Sequence, residues 1–155
     1  MMKHKSIYAN IFTGAFFVDQ LSKLLAVRYL AEADVPLLSF LSLSLSFNRA
    51  MSWGILNGVM HLSVATLHAV VLVLLGAFAY AQHRKGVFIV PEIMVLAGGF
   101  SNLFDRVYRD GVVDYLDFYV GAWHWPTFNV ADMFVVLGFG MIFWRVLRHG
   151  NVGQS

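Results

Sequence analysis

Long apolar stretches alternate with shorter polar segments along this chain. The apolar stretches lie at about residues 7–25, 62–81, 87–104 and 130–147. Each is close to the ~20 residues that a helix needs to cross a hydrocarbon core about 30 Å thick. We therefore predict an α-helical integral membrane protein with four transmembrane helices. It would form a single domain over residues 1–155, with connecting loops at about 26–61 and 105–129.

The two long loops carry a different pattern. Residues 41–47 (LSLSLSF) alternate strictly between apolar and polar side chains, which is typical of a strand with one buried face. Residues 112–120 (VVDYLDFYV) are rich in β-branched and aromatic residues and predict a second strand. A small β-sheet on the outer surface of the membrane would accommodate both strands. Trp53, Trp123 and Trp125 would lie at the membrane–water interface, which indole rings prefer.

The basic residues indicate the orientation of the helices. One pair precedes the first span, one lies between the second and third spans, and one closes the fourth: Lys3 and Lys5, Arg84 and Lys85, Arg145 and Arg148. Cytoplasmic ends of membrane helices carry an excess of Lys and Arg, so we expect both termini in the cytoplasm. The loops at about 26–61 and 105–129 would then lie outside the cytoplasm, yet they contain four arginines: Arg28, Arg49, Arg106 and Arg109. We expect some of these arginines to be held in a site.

Composition narrows the possible classes of function. Hydrophobic residues make up 59% of the 155 residues and charged residues only 13%, about half the usual share of a soluble domain. The net charge of +2 is too small to indicate nucleic-acid binding. The chain has no cysteine, which excludes disulfides, thiolate metal sites and a cysteine nucleophile. Its six histidines are dispersed without a His-Glu-x-x-His pattern, so we expect neither a metal nor a cofactor.

The first span could in principle be a cleaved signal peptide. Its basic start and apolar run fit, but no small-x-small cleavage site follows, and residues 19–23 (DQLSK) come instead. We expect the span to be retained as a membrane anchor.

Two aspartates stand beside apolar segments where ionisable side chains are costly, Asp114 in residues 111–115 (GVVDY) and Asp132 in residues 128–132 (FNVAD). Such groups are candidate functional residues by default. Strands are depleted in aspartate and Asp114 has no helix to cap, which favours a functional role. Asp117, on the opposite face of the same strand, is expected to be solvated. Two carboxylates at one membrane edge indicate acid–base hydrolysis.

Other polar residues allow a structural as well as a functional interpretation. Asp19 and Lys23 are four residues apart on a helix and can form an ion pair. The pair would either ease the insertion of both charges into the membrane or form part of the site. Asn102, Asp105 and Arg106 share one helix face. They would either bind the free backbone groups at the end of the helix or support the reacting groups. Asn129 and Asp132 resemble a capping box, which is common in helices of every function.

Taken in order, the polar motifs resemble those of the lipoprotein signal peptidase (signal peptidase II) family. The five blocks cover residues 19–23 (DQLSK), 47–54 (FNRAMSWG), 98–106 (GGFSNLFDR), 111–115 (GVVDY) and 128–132 (FNVAD). One block would be weak support, whereas five in order on a four-span frame are specific.

The resemblance implies an aspartyl endopeptidase of the bacterial plasma (inner) membrane, with its active site on the extracytoplasmic face. It would remove the signal peptide from prolipoproteins just before a diacylglyceryl-modified cysteine, and it would work as a monomer in contact with membrane lipid. Asp114 and Asp132 would be the catalytic pair. The matching supporting residues would be Asp19, Asn48, Asn102, Asp105, Arg106 and Asn129.

The chain departs from the family pattern at two places. Residues 50–52 are Ala-Met-Ser where Gly-Ala-Ala is usual, and Ser101 replaces the usual glycine before Asn102. Neither change touches the carboxylates, so we expect an effect on the shape of the substrate groove rather than on the chemistry. The main alternative is a non-catalytic homologue acting as a membrane scaffold, which would tolerate Asp→Asn at positions 114 and 132. A proton-coupled transporter is less favoured because the polar residues gather at one face.

Overall fold

Four α-helices dominate the described part of the chain, which in this computed structural model comprises residues 2–49, 59–109 and 111–150. The helices are α1 (Met2–Tyr29), α2 (Val59–Arg84), α3 (Val90–Tyr108) and α4 (Val130–Gly150). The strands in the same residues are β1 (Val35–Leu38), β2 (Leu41–Asn48), β3 (Val112–Val120) and β4 (Trp123–His124). The expectation of a helical protein with a small sheet is confirmed.

Two helical segments in the described residues are long and apolar enough to cross a membrane, judged by length and composition. They are Val64–Arg84 in α2 and Val130–Arg148 in α4. Large apolar side chains point outward along both helices: Val73, Val136 and Phe143 are each 65 to 70% exposed. A soluble protein rarely displays such continuous apolar surface, so these faces suit contact with lipid.

The third helix lies at the centre of the bundle and packs against the other three, most extensively against α4. Pro91 in its first turn has the backbone torsion that a helix start needs and lacks the N–H that would be unsatisfied there. The preceding helix, α2, ends at Arg84 and is followed by Gly86, whose φ of +81° is the left-handed conformation favoured after a helix C-terminus. This tight turn brings α3 back alongside α2.

Close approach of α3 and α4 depends on glycine. A Cβ on Gly98 would collide with the carbonyl oxygen of Ala131 and lie 3.0 Å from the Cγ2 atom of Val135. Gly98 therefore permits the close contact between α3 and α4, as small residues do where two helices approach closely. Because Ala131 precedes Asp132, this contact also sets the position of that carboxylate.

The four strands form one antiparallel sheet in the order β1-β2-β3-β4. The two predicted strands are confirmed as β2 and β3, and their register places Ser46 opposite Asp114. One face of the sheet packs on the end of α1, where Ala26, Leu30 and Tyr115 form a buried cluster. The sheet therefore presents Asp114 to the same end of the bundle that carries the polar residues of α1, α3 and α4.

Candidate active site

Asn129 contacts both candidate catalytic carboxylates. Its side-chain Nδ2 donates to Asp114 Oδ1 at 2.7 Å, and its backbone N–H donates to Asp132 Oδ2 at 3.2 Å. In return the backbone N–H of Asp132 donates to Asn129 Oδ1 at 2.9 Å, so the predicted capping box at the start of α4 is confirmed. The residue that caps the helix is thus also the one that joins the two carboxylates.

Asn102 holds the second carboxylate from the opposite side. Its Nδ2 donates to Asp132 Oδ1 at 2.8 Å, and its Oδ1 accepts from Asn129 Nδ2 at 3.1 Å. Asn102 lies on α3, nearly two turns before the end of that helix at Tyr108. Its buried amide therefore has partners through both its nitrogen and its oxygen, as a buried amide requires.

Asp114 is buried, with 1% of its surface exposed. Burial is the largest cause that raises the pKa of its carboxyl from 3.8 to about 6, and the negative charge of nearby Asp132 raises it further. Hydrogen bonds from the side chains of Asn48 and Asn129 and the positive charge of Lys23 act in the opposite direction. A carboxyl with such a pKa can exchange a proton near neutral pH, which is what an acid–base catalyst needs.

Lys23 is the central cation of the site and is fully buried. Its ammonium Nζ lies 2.7 Å from Asp19 Oδ2, 2.8 Å from Asp105 Oδ2 and 2.7 Å from Asn102 Oδ1. Three donors on the ammonium meet three oxygens, so its hydrogen-bonding capacity is fully used. The predicted pair of Asp19 and Lys23 is confirmed, and it belongs to a buried network rather than to an exposed helix end.

Asp19 connects α1 to the start of α4. Its Oδ1 accepts from the backbone N–H of Ala131 at 2.7 Å, and its Oδ2 accepts from Ser101 Oγ at 2.7 Å. The unusual serine at position 101 therefore adds a hydrogen bond to this carboxylate. The other departure, at residues 50–52, lies outside the described residues.

Asp105 also pairs with a cation of its own helix. The guanidinium that pairs with its Oδ1 belongs to Arg109, one turn further along α3, and not to Arg106. Gln20 Nε2 also donates to Oδ1 at 3.1 Å, and the backbone N–H of Val113 donates to Oδ2 at 3.3 Å. The last bond ties Asp105 to β3, next to Asp114.

Arg106 instead contacts the second helix. Its Nη1 lies 3.1 Å from Nδ1 of His68. Because a guanidinium only donates, Nδ1 must accept and the histidine proton must sit on Nε2. His68 therefore forms a hydrogen bond between α2 and α3. Arg106 also interacts electrostatically with Asp114 and Asp132, so its charge faces the carboxylate pair.

The prediction that Asp117 is solvated is wrong. Only 7% of its surface is exposed. Its carboxylate accepts from Ser42 Oγ at 3.2 Å and lies 2.8 Å from His124 Nδ1. Strands β2 and β4, which flank β3 in the sheet, supply these partners, and alternation along β3 alone does not reveal them. In the described residues the polar contacts of Asp117 go to Ser42 and His124 and not to Asn129 or Asn48, the partners of Asp114.

The sequence predicts three participants in the network only in part or not at all. Lys23 is predicted as the partner of Asp19, Arg109 is one of four arginines of which some are expected in a site, and Gln20 is given no role. Gln20 donates to Ser101 Oγ at 2.8 Å and accepts from Arg109 at 2.9 Å, which links α1 to both ends of the polar face of α3. The signal available was a lone lysine inside an apolar stretch, since an unpaired buried ammonium is costly.

The site thus joins two carboxylates to a rigid frame of amides and balanced charges. Among the described residues, no group of three or more His, Asp or Glu side chains is arranged to hold a metal ion. The residues present can hold, move and accept protons, which is the chemistry of hydrolysis by paired carboxylates.

Solved structures of bacterial membrane enzymes share this fold. Two structures obtained by the in meso method, at 2.3 Å and 1.9 Å resolution, superpose with TM-scores of 0.74 and 0.76. They are 22% and 23% identical to this chain and cover 97% and 92% of it, with 93% of each solved chain matched. The fold is therefore that of a bacterial membrane enzyme.

The sequence comparison specifies the family. The model of the signal peptidase (SPase) II family matches residues 11–148, and the chain belongs to that family. A lipoprotein signal peptidase of Halalkalibacterium halodurans is 31% identical over 144 residues, covering 92% of each chain. One from Photorhabdus laumondii is 33% identical over 113 residues, covering 70% of this chain and 68% of its own. The protein is an enzyme, an aspartic-type peptidase, and a non-catalytic homologue is not favoured.

Proposed function

We propose that Asp114 and Asp132 are the catalytic pair of this peptidase, within one domain that spans residues 1–155. The observation that carries the assignment is the double contact of Asn129, which donates to one carboxylate through its side chain and to the other through its backbone. Aspartic proteases use two neighbouring carboxylates that share one proton, and the contacts of Asn129 hold Asp114 and Asp132 next to each other.

The reaction follows from the electrostatics of the pair. Two neighbouring carboxylates do not both ionise cheaply, so the pair shares one proton near neutral pH. The ionised member takes a proton from a water molecule, whose oxygen attacks the scissile carbonyl carbon. The protonated member donates its proton to the carbonyl oxygen. Collapse of the tetrahedral intermediate breaks the C–N bond as a proton passes to the leaving nitrogen, and the titration belongs to the pair as a unit.

The remaining polar residues have supporting roles in this proposal. Asn48, Asn102 and Asn129 orient the two carboxylates by donating hydrogen bonds to them. Asp19 and Asp105 hold Lys23, which fixes α1 against α3 and contributes positive charge behind the pair.

Arg106 is the residue best placed to contact the substrate backbone. Its Nε atom is buried and has no hydrogen-bond partner within the part of the chain that the structure describes. Its charge faces the carboxylate pair, and a peptide carbonyl entering the site would satisfy a donor of this kind.

Family membership gives the reaction as removal of the signal peptide from prolipoproteins. We place the cut just before the diacylglyceryl-modified cysteine. The two acyl chains would stay in the lipid, where each buried methylene contributes ~0.8 kcal/mol of anchoring, so substrate and enzyme meet within the plane of the membrane. In this proposal α1 and α3 also cross the bilayer, both termini are cytoplasmic, and a monomer works from the extracytoplasmic face of the inner membrane.

Cleavage of a purified diacylglyceryl-modified prolipoprotein tests the assignment. Asp114→Asn and Asp132→Asn keep the size of each side chain but remove the shuttling proton, and each should abolish cleavage. Asp117→Asn is the matched control, because it changes an aspartate of the same strand whose contacts go to Ser42 and His124. It should leave activity within about threefold of the wild type, in keeping with the small effect of most substitutions away from a site.

Folding of every variant is verified by its unfolding transition before activity is compared. Full activity in either Asp114→Asn or Asp132→Asn would refute the catalytic pair. Failure of well-folded wild type to cut any diacylated prolipoprotein would refute the proposed substrate.

A further inference from the structure

A basic cavity lies at the end of the bundle remote from the carboxylate pair. Its volume is about 860 Å³, and it is enclosed by the start of α1, the end of α2 and the turn that leads into α3. Along α3, the distance from Val90 beside this cavity to Asn102 in the site is roughly 18 Å at 1.5 Å per residue. The cavity is therefore separate from the proposed catalytic machinery, and its volume is within the range of ligand pockets.

The lining of the cavity is positively charged. Lys5 and Arg84 contribute permanent charges, and His4 and His83 lie beside them. No acidic side chain is found among the described residues that line it. The acid nearest in sequence on α3, Glu92, is bound by both terminal nitrogens of Arg145, at 2.7 and 3.1 Å. The charge of the cavity is thus available to an anion.

Aromatic rings form the frame behind these charges. The Tyr8 ring packs edge-on against His83 at 5.6 Å between centroids and against Phe88 at 5.7 Å. The Tyr8 hydroxyl also accepts from the backbone N–H of Ile89 at 3.4 Å, which fixes the turn. Arg84 donates to the hydroxyl of Tyr80 at 3.2 Å, so its guanidinium is held by a neutral partner and keeps its full charge.

An apolar groove adjoins the cavity across Phe88. The groove measures about 670 Å³ and lies between α3 and α4, and Phe88 lines both spaces. Its walls include Leu137, Met141 and Trp144, with Gly140 leaving room on the α4 side. The cavity suits an anionic group and the adjoining groove suits a hydrocarbon chain, so together they fit a molecule that carries both. A free phosphate would occupy only the cavity.

We propose that this end of the bundle binds one anionic phospholipid. Its phosphate headgroup would lie between Lys5 and Arg84, and an acyl chain would cross Phe88 into the groove between α3 and α4. The binding site is independent of the catalytic pair. In the proposed topology it takes its lipid from the cytoplasmic leaflet, whose anionic lipids attract basic residues near the membrane surface.

Native mass spectrometry of the detergent-solubilised protein tests this binding, with phosphatidylglycerol and phosphatidylcholine titrated separately. The wild type should retain one phosphatidylglycerol in preference to phosphatidylcholine. Lys5→Gln and Arg84→Gln should each weaken that retention about fivefold, the factor expected for one cation at a membrane surface. Lys85→Gln is the matched control, because Lys85 is exposed in the same turn but does not line the cavity.

Gly140→Leu tests the groove separately from the headgroup. A Cβ on Gly140 meets nothing within 4 Å, so a leucine fits the fold and occupies the space proposed for the acyl chain. It should lower lipid retention while leaving binding of inorganic phosphate unchanged. Peptidase activity of all these variants in detergent should remain at the wild-type level, which distinguishes lost lipid from lost fold.

Three results would overturn the proposal. Equal retention of the two lipids would mean that the headgroup charge is not recognised. An equal loss in Lys85→Gln would assign the effect to general surface charge. Inorganic phosphate that binds as tightly as the lipid, in both wild type and Gly140→Leu, would make the cavity an anion site with no lipid specificity.

Discussion

Removing the ammonium of Lys23 is the sharpest test of how the site is held together. In Lys23→Met the side chain keeps its approximate length and apolar stem but loses its charge. Asp19 and Asp105, both fully buried, would then lose a cation at 2.7 and 2.8 Å. Asp105 would keep its pairing with Arg109, so the larger loss falls on Asp19.

The expected cost is that of a buried ion pair with one partner removed, about 3–5 kcal/mol of the free energy of unfolding. Two carboxylates lose a cation, but Asp105 keeps its pairing with Arg109. We therefore expect a loss of unfolding free energy within that range rather than above it. Adding Asp19→Asn should restore about half of the loss. The new amide can still accept from the Ala131 N–H through its oxygen and can donate to Ser101 Oγ through its nitrogen.

Unfolding in mixed detergent micelles, followed by tryptophan fluorescence, gives these free energies for the wild type, Lys23→Met and the double variant. Lys85→Met is the control, since the same substitution at an exposed lysine should change the free energy by no more than about 0.5 kcal/mol. A loss below about 1 kcal/mol in Lys23→Met would refute the claim that its ammonium offsets buried carboxylates. So would a double variant that is no more stable than the single one.

Two further predictions follow from the geometry and the titration of the site. Gly98→Ala places a Cβ against the carbonyl oxygen of Ala131 and should lower the free energy of unfolding by about 1–3 kcal/mol. It should also remove most of the peptidase activity. Gly14→Ala is the control, because its Cβ meets nothing within 4 Å, and it should be neutral or stabilising in the same assays. Folding raises the pKa of Asp114 from 3.8 to about 6, so between these pH values the folded protein binds more protons than the unfolded chain. The stability that Asp114 contributes at low pH is therefore lost as the pH rises from about 4 to 6. Unfolding free energies measured across that range should fall less steeply in Asp114→Asn than in the wild type, and identical slopes would contradict the raised pKa.

Local patterns were sufficient for the secondary structure near the site. Strict alternation over residues 41–47 identifies β2, and the β-branched and aromatic run at 112–120 matches β3 to the residue. The capping box at Asn129 was also readable, because its two partners are only three residues apart. Each of these signals lies within one element, where sequence spacing determines which side chains meet.

Partner choice between elements was less predictable. Arg109 follows Asp105 by four residues, the spacing at which side chains on one helix meet, whereas the adjacent Arg106 diverges from Asp105. Spacing within α3 does not reveal the partners from other helices: α2 brings His68 to Arg106, and α1 brings Gln20 to Arg109. The partners of Asp117 likewise come from other strands, β2 and β4.

The charges of the site connect the fold to the protonation state of the proposed catalytic pair. Among the described residues, the polar network joins Asp19, Asp105, Asp114 and Asp132 to Lys23, Arg106 and Arg109, and Arg49 lies beside Arg106. Buried charge is costly unless it is paired, so these cations stabilise the ionised form of the carboxylates. The positive charge of Lys23 lowers the pKa of Asp114, so its removal would favour a second proton on the pair and leave no carboxylate to activate water. The same buried lysine therefore couples the stability of the fold to the protonation state on which cleavage depends.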